Sequence, residues 1–122
     1  MQNLKPTVYS ALSSATALST LRSITTPYPR SLTSSETMPC LTYFEMTNIG
    51  GLYADDVEAA SDIVFQIDLW GITSLSDYKL AVDDVMTGIG FSRIYCTDLY
   101  ETDTKINHVP MRYRIGYADP TF

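Results

Sequence analysis

The chain has 122 residues, a hydrophobic content of 45% and a formal net charge of −6. This length and composition predict one globular domain, over 1–122, with an ordinary hydrophobic core, and exclude a disordered chain. The acidic balance argues against a nucleic-acid-binding function, because DNA and RNA backbones repel negative charge. No stretch approaches the ~20 apolar residues of a membrane-spanning helix, and the first residues do not show a targeting-peptide pattern.

The N-terminal third predicts one helix followed by a long connection. In 6–22, apolar residues recur three and four positions apart, which indicates an amphipathic helix that begins near Pro6 and ends near Arg22. Residues 23–39 contain three prolines and many hydroxyl residues. Such a composition favours an irregular connection that places the next strand.

Two strands are predicted in the middle of the chain. Residues 40–49 are rich in aromatic and β-branched side chains, and the Gly50-Gly51 pair is expected to end this strand. Residues 61–70 predict a strand that is central in a sheet or covered on its second side, with four core positions at period two, Ile63, Phe65, Ile67 and Leu69. The two strands predict a hairpin whose acidic loop, 50–60, is longer than a tight turn.

A second helix is predicted to follow. Ser74 and Asp77 have the spacing of a capping box, which predicts a helix over 75–87. Gly88 and Gly90 are expected to end it, because glycine adopts the left-handed backbone that helix ends often need.

The last part of the chain predicts a second hairpin. Residues 91–100 and 109–117 read as paired strands, and 118–122 as a short tail. Pro110 lacks a backbone donor, so this end of the last strand is expected at an edge or a bulge.

Together these elements predict an α+β fold with the order α-β-β-α-β-β. Four mostly antiparallel strands form a sheet, and both helices pack on one of its faces. The other face is expected to carry Trp70 and, on the last strand, Arg112 and Arg114. A half-apolar open face of this kind is a candidate oligomer interface.

Few residues carry the chemistry of a catalytic or cofactor site. His108 is the sole histidine and is predicted to be a solvated loop residue. Cys40 and Cys96 are predicted to be free, buried thiols of a protein made in a reducing compartment. One histidine and two distant cysteines do not match a zinc site, and the sequence contains no phosphate-binding glycine motif. The prediction is therefore that no cofactor is used.

The densest negative charge lies in the predicted first hairpin loop, at Asp55, Asp56, Glu58 and Asp62. Three interpretations stay open: a solvated loop, a divalent-cation site, and an electrostatic contact to a partner's Lys or Arg. The spacing does not match an EF-hand, which favours the solvated loop over the cation site. The predicted subunit or partner interface combines this loop with the open face, as Tyr53, Asp55, Asp56, Glu58, Trp70, Arg112 and Arg114.

Several stretches, taken together, resemble one protein family. They are VYSALSSATALSTL, the acidic run ADDVEAASD leading into IVFQIDLWG, the segment MTGIGF, and the final pair DLYETDTKINHVPMRYRIGY. In this combination the chain resembles the small tail-completion, or tail-to-head joining, proteins of long-tailed bacteriophages and prophages, a tail-terminator-like family. The resemblance covers most of the chain.

The resemblance implies a structural virion protein with no active site and no cofactor or metal. It implies a ring of subunits, commonly six, that caps the tail tube protein and joins it to the head-completion, or connector, proteins. Such a protein resides at the head–tail junction of the virion and in the host cytoplasm during assembly. DNA would pass through the ring without specific binding, which agrees with the acidic charge.

Two other functions stay open. One is a different neck component, such as a head-closure protein or a minor tail protein, which would have other partners but the same physical properties. The other is a small α+β enzyme or ligand-binding module, which needs a deep pocket with converging polar residues.

Overall fold

A computed structural model describes residues 3–25, 38–54, 57–103 and 105–118, with the backbone alone at 50–54, 57–61, 117 and 118. Within these ranges the chain forms two α-helices, a 3₁₀ turn and six strands. In chain order they are α1 (Lys5–Ser14), the 3₁₀ turn (Thr16–Leu18), β1 (Ser23–Thr25), β2 (Cys40–Ala54), β3 (Val57–Gly71), α2 (Ser76–Gly88), β4 (Ser92–Cys96), β5 (Leu99–Glu101) and β6 (Ile106–Ala118).

The described strands form one sheet in the order β1-β2-β3-β6-β4, and β5 pairs with β6 beyond the end of β4. All pairings are antiparallel except the parallel pairing of β1 with β2. The fold is therefore α+β, as predicted, and both predicted hairpins are present. The predicted count of four strands was wrong. β1 occupies the start of the connection predicted at 23–39, of which 26–37 lie outside the described residues, and the strand predicted at 91–100 divides into β4 and β5.

Both helices pack on one face of the sheet, as the layering prediction required. Alternation along β3 buries its four predicted core residues completely, Ile63, Phe65, Ile67 and Leu69. The same cluster contains, from the helices, Val8, Leu12, Ala81, Val82 and Met86. Each large apolar side chain buried in this way stabilises the fold by about 1.5–3 kcal/mol.

α1 is shorter than predicted, because it ends at Ser14 and not near Arg22. The Ser14 hydroxyl donates to the Ser10 carbonyl at 2.6 Å, and serines that bond to their own backbone weaken a helix. Arg22 does not lie at a helix end. Its backbone N–H donates to the Pro39 carbonyl at 2.8 Å, and its Nε donates to the Met38 carbonyl at 2.9 Å. Arg22 thus fixes the start of β2 beside β1.

α2 confirms the second predicted helix within one residue at each end. The predicted capping box is wrong: Leu75 is the N-cap, and no side chain caps the helix. Ser74 Oγ accepts a long hydrogen bond of 3.4 Å from the Ser76 N–H. Gly90 follows the helix with φ +100°, a backbone conformation that favours glycine. Gly90 therefore ends this element as predicted, whereas Gly88 is the last helical residue.

The first hairpin is longer than predicted, because most of the predicted loop at 50–60 is strand. β2 and β3 pair from Cys40 with Trp70 up to Ala54 with Val57. The glycine pair at 50–51 does not end β2, because the register shifts there and a bulge accommodates glycine within a strand. The two residues between the strands, Asp55 and Asp56, lie outside the described residues.

Pro110 lies inside β6, with β3 on one side and the β4–β5 segment on the other. Its carbonyl accepts a hydrogen bond from the Thr97 N–H at 3.3 Å. The N–H and C=O of one strand residue point to the same side, so the missing donor of Pro110 faces the gap between β4 and β5. Pro110 is thus beside an irregularity, as expected, although its own strand is internal. β6 extends to Ala118, and 119–122 lie outside the described residues.

Candidate interface on the open face of the sheet

The face away from the helices is lined by even-numbered residues of β3 and β6. Their register brings Gln66, Asp68 and Trp70 of β3 beside His108 and Arg112 of β6. At one end, this face carries a second, small apolar cluster in which no side chain is more than 8% exposed: Met38, Cys40, Trp70 and Ile106. The face is therefore partly closed within the chain itself, which the prediction of a half-apolar open face did not include.

Trp70 stacks on His108, with the ring centroids 3.7 Å apart and the ring planes 6° from parallel. The indole Nε1–H donates to Thr42 Oγ1 at 3.0 Å, so the polar atom of this buried ring is satisfied. The prediction that His108 is a solvated loop residue is wrong. It lies in β6, and its side chain is 15% exposed, because Trp70 covers one face of the imidazole.

Asp68 is fully buried on this face. Its Oδ1 lies 2.7 Å from His108 Nε2 and accepts a hydrogen bond from Gln66 Nε2 at 3.0 Å. A buried carboxylate is costly unless it is paired and hydrogen-bonded. His108 and Gln66 both hydrogen-bond this carboxylate, so Asp68 joins the two central strands through side chains as well as through the backbone ladder.

Gln66 connects this pair to the edge of the sheet. Its Oε1 accepts a hydrogen bond from Arg112 Nε at 3.1 Å. The Arg112 guanidinium lies 5.1 Å from the centre of the Tyr95 ring in β4, within cation–π range. A continuous series of contacts, named here the cross-sheet network, thus crosses β2, β3, β6 and β4: Thr42, Trp70, His108, Asp68, Gln66, Arg112 and Tyr95.

Arg114 forms a separate ion pair with Asp62. Two parallel hydrogen bonds of 2.8 Å each run from Arg114 Nε and Nη2 to the two carboxylate oxygens. These bonds hold the pKa of Asp62 below its usual value and raise the pKa of Arg114. Both side chains face solvent, so water and salt weaken the pair. The main effect of the pair is geometric, because the two parallel hydrogen bonds hold both side chains in one position.

The structure describes only some of the residues in the acidic part of the predicted interface. Tyr53 and Glu58 stand opposite each other in the register of β2 and β3, where the backbone alone is described. Asp55 and Asp56 lie outside the described residues. The role of these four residues at an interface stays a prediction.

The sequence patterns did not indicate five members of the network: Thr42, Gln66, Asp68, Tyr95 and His108. A signal for them was present, since the even positions of 61–70 carry acids and an amide, while those of 108–114 carry histidine and arginine. Complementary polar residues on one face of two strands favour pairing between them. The missing information was the register, which sets His108 opposite Trp70.

Other reactive groups lie apart from the network. Cys40 and Cys96 are free, with Cys40 buried and Cys96 partly buried; burial raises the pKa of both thiols and lowers their reactivity. Two surface grooves lie beside α2, one along β4 and one near β5, and His108 lines neither of them. In the described ranges, no group of three or more His, Cys, Asp or Glu side chains is placed to hold a metal ion.

Helices on one face of a mostly antiparallel sheet and a cross-sheet network on the other define a small α+β domain with one structured, partly exposed face. Neither described helix is long and apolar enough to cross a membrane. No protein-family model and no curated protein matches the sequence. The chain is similar in structure to a chain of a particle described as "Virion of native gene transfer agent (GTA) particle". The TM-score is 0.63 at 12% identity, over 92% of this chain and 92% of that chain. The two chains share a fold.

Proposed function

We propose that this chain is a structural virion protein that caps a phage tail tube as an oligomeric ring and joins the tail to the head connector. The observation that carries the proposal is the fold shared, over nearly the full length of both chains, with a component of a gene transfer agent virion. The sequence resemblance to tail-completion proteins supports the same role from different evidence.

The cross-sheet network supports a structural and non-enzymatic role. A histidine paired with a buried aspartate is chemistry that an enzyme can use. Here the His108 ring is stacked under Trp70, its Nε2 is engaged by Asp68, and the ring lies outside both grooves beside α2. Side chains engaged with one another stiffen the sheet, which suits a subunit that must keep its shape inside a larger assembly.

The net charge of −6 supports passage of DNA through the proposed ring without specific binding. Like charge keeps a phosphate backbone from adhering to the channel wall. A cryo-EM map of the assembled ring tests this point. We expect acidic and neutral side chains along the channel, and a continuous basic wall would contradict it.

The proposed role is tested by electron microscopy of particles made without this protein. We expect DNA-filled heads beside separate tails of uneven length, because an uncapped tube neither stops growing at a fixed length nor joins the head. Supplying the protein from a plasmid is the control and should restore joined particles. Normal, joined virions made in its absence would overturn the proposal.

The same fold similarity also favours a second candidate, a different neck component such as a head-closure protein or a minor tail protein. The same particles distinguish the two roles. Tails of normal length beside heads that have lost their DNA would indicate head closure. Tails of uneven length would indicate capping of the tube.

A further inference from the structure

A groove of about 570 Å³ lies between α2 and the edge strand β4. Two large apolar side chains line it and are nonetheless exposed: Leu80 at 64% and Ile94 at 53%. Exposed apolar side chains are common singly, but a cluster of them around a groove marks a contact surface. The groove therefore suits a segment with apolar side chains of its own.

Two cations, Lys79 and Arg93, and one acid, Asp83, line this groove. Lys79 Nζ lies 3.3 Å from Asp98, and Arg93 Nη1 lies 3.1 Å from Asp83. An ammonium has three donors and a guanidinium has five, so one ion pair leaves each of them capacity for a second acceptor. A segment that combines apolar and acidic residues matches both the lining and the border of the groove.

The tip of the β2–β3 hairpin has this chemistry. Its sequence at 52–58 is LYADDVE, three acids among apolar and aromatic residues. In the described pairings β6 accompanies β3 as far as Ala60, which pairs with Ala118, whereas β2 and β3 continue together to Ala54 and Val57. Among the described residues, β2 and β3 therefore continue beyond Ala60 as a two-stranded ribbon, and such a ribbon is marginally stable in water unless it packs on another surface.

The groove that receives the tip must belong to another copy of the chain. At the level of the groove, Tyr95 of β4 pairs with Arg112, and Arg112 pairs with Gln66 of β3. From Gln66 to Val57, at the tip, β3 runs nine residues away from this level, or roughly 30 Å at 3.3 Å per residue. A copy therefore cannot place its own tip in its own groove.

We propose that the groove between α2 and β4 of each copy receives the acidic β2–β3 tip of the next copy. Tip and groove are different surfaces, so the contact is head-to-tail, and head-to-tail contacts close into a ring when the rotation between copies permits. The inference rests on the proposed function for the ring itself and adds the two surfaces that form it.

Cross-linking tests the contact directly. Ile94 lines the groove and is 53% exposed, so a double variant, Asp56→Cys with Ile94→Cys, adds one accessible thiol at the tip and one in the groove. We expect a short bismaleimide to give a ladder of multimers joined between positions 56 and 94, identified by mass spectrometry. Asp103→Cys with Ile94→Cys, where position 103 lies in an exposed turn at the other end of the sheet, is the matched control and should give no such ladder.

A second measurement uses the charge of the tip. Leu80→Glu places a negative charge in the groove and should lower the apparent association constant at least about tenfold in sedimentation velocity, because the tip is acidic. Leu80→Lys should weaken association less. Ile72→Glu makes the same change at another exposed apolar residue, 52% exposed, and should leave association unchanged. Circular dichroism of each variant confirms folding.

The outcomes separate this inference from the proposed function. Rings that form normally with Leu80→Glu, or that cross-link through other positions, overturn the proposed contact while the capping role stands. A chain that gives no multimers, alone or on tail tubes, overturns the contact as well. The capping role is then decided by the particles that lack the protein.

Discussion

Trp70 and His108 stand opposite each other in the register of β3 and β6, and their rings are stacked 3.7 Å apart. Because the same indole donates to Thr42 of β2, one side chain connects three strands on the face away from the helices. This arrangement makes the second face of the sheet a source of stability, in addition to the core beneath the helices.

Replacing Trp70 should be costly for that reason. Trp70→Ala is expected to lower the free energy of unfolding by about 3–5 kcal/mol, since it removes a buried ring and uncovers His108. Trp70→Phe keeps an aromatic ring but loses the hydrogen bond to Thr42, and should cost less. Urea denaturation measures both. Ile72→Ala, at an exposed neighbour, should change stability by no more than about 0.5 kcal/mol; an equal loss in Ile72→Ala and Trp70→Ala would contradict this prediction.

Removal of the buried Asp68 carboxylate should leave two partly buried donors without their acceptor. Asp68→Ala is expected to cost about 3 kcal/mol, because His108 and Gln66 both lose a hydrogen-bond partner. Asp68→Asn retains an acceptor oxygen and should cost clearly less. Denaturant midpoints give the comparison, and a double-mutant cycle with His108→Phe isolates the coupling. A cycle that shows no coupling between the two positions would refute the pair as a stabilising contact.

Tyr113 should make stability fall at alkaline pH. Its hydroxyl donates to Asp83 Oδ1 at 2.9 Å, and burial first, then that hydrogen bond, raises the pKa of Tyr113 well above its usual 10. Above pH ~10 the unfolded chain therefore loses this proton while the folded chain keeps it. The contribution of Tyr113 to stability is complete below the unfolded pKa and is lost as the pH rises beyond it.

Tyr113→Phe is the matching variant. It should cost about 1.5 kcal/mol at pH 7, through loss of a hydrogen bond to a charged group. Above pH 10 the wild-type chain should lose up to about 1.4 kcal/mol per pH unit more than the variant, which corresponds to one proton. Tyr100→Phe, at an exposed tyrosine, should behave as wild type. Parallel stability curves for the wild type and Tyr113→Phe would show that the raised pKa does not contribute.

The two glycines at the end of α2 should respond in opposite directions to alanine. Gly90 has φ +100°, and a Cβ there would lie 3.3 Å from Ile115 Cδ1, so Gly90→Ala is expected to cost about 1–2 kcal/mol. Gly88 is helical with open space around it, so Gly88→Ala should stabilise by about 0.5 kcal/mol. Thermal unfolding of the pair measures both, and a gain in stability from Gly90→Ala would be inconsistent with the backbone described.

The Asp62–Arg114 pair should be visible in a carboxyl titration. The hydrogen bonds from Arg114 lower the pKa of Asp62, so Arg114→Gln is expected to raise that pKa toward its usual value. The stabilisation from this pair is present above the unfolded pKa of an aspartate and is lost as the pH falls through the lowered folded value. Carbon-detected NMR follows Asp62 directly. High salt should raise its pKa in the wild type and change it less in the variant.

Period-two alternation predicted the core face of β3 correctly, because burial on one face imposes that pattern whatever the partners are. Alternation also placed Trp70, Arg112 and Arg114 on the opposite face. Alternation could not give the contacts on that face. The Trp70–His108 stack depends on a register between strands 38 positions apart, which is set by the whole hairpin arrangement.

The errors have local causes. The Gly50-Gly51 pair predicts the end of a strand, but β2 continues past it, because pairing with β3 resumes after a bulge. β1 has three residues, too few for any periodicity. The serines of α1 lower its helix propensity. Where the helix ends then depends on its packing in the folded chain, which the sequence pattern does not give. The segment 50–60 was predicted as a loop because the glycine pair was expected to end the strand, whereas pairing between β2 and β3 extends the described strands to Ala54 and Val57.

The interruption between β4 and β5 beside Pro110 has a consequence for behaviour at high concentration. A long, regular edge strand is a template on which further chains add one after another, as amyloid fibrils grow. Here the register shift near Ile94 and the break after Cys96 divide that edge into two short strands of five and three residues. Chains can still associate through side chains, but fibrillar growth by addition of strands at this edge is blocked.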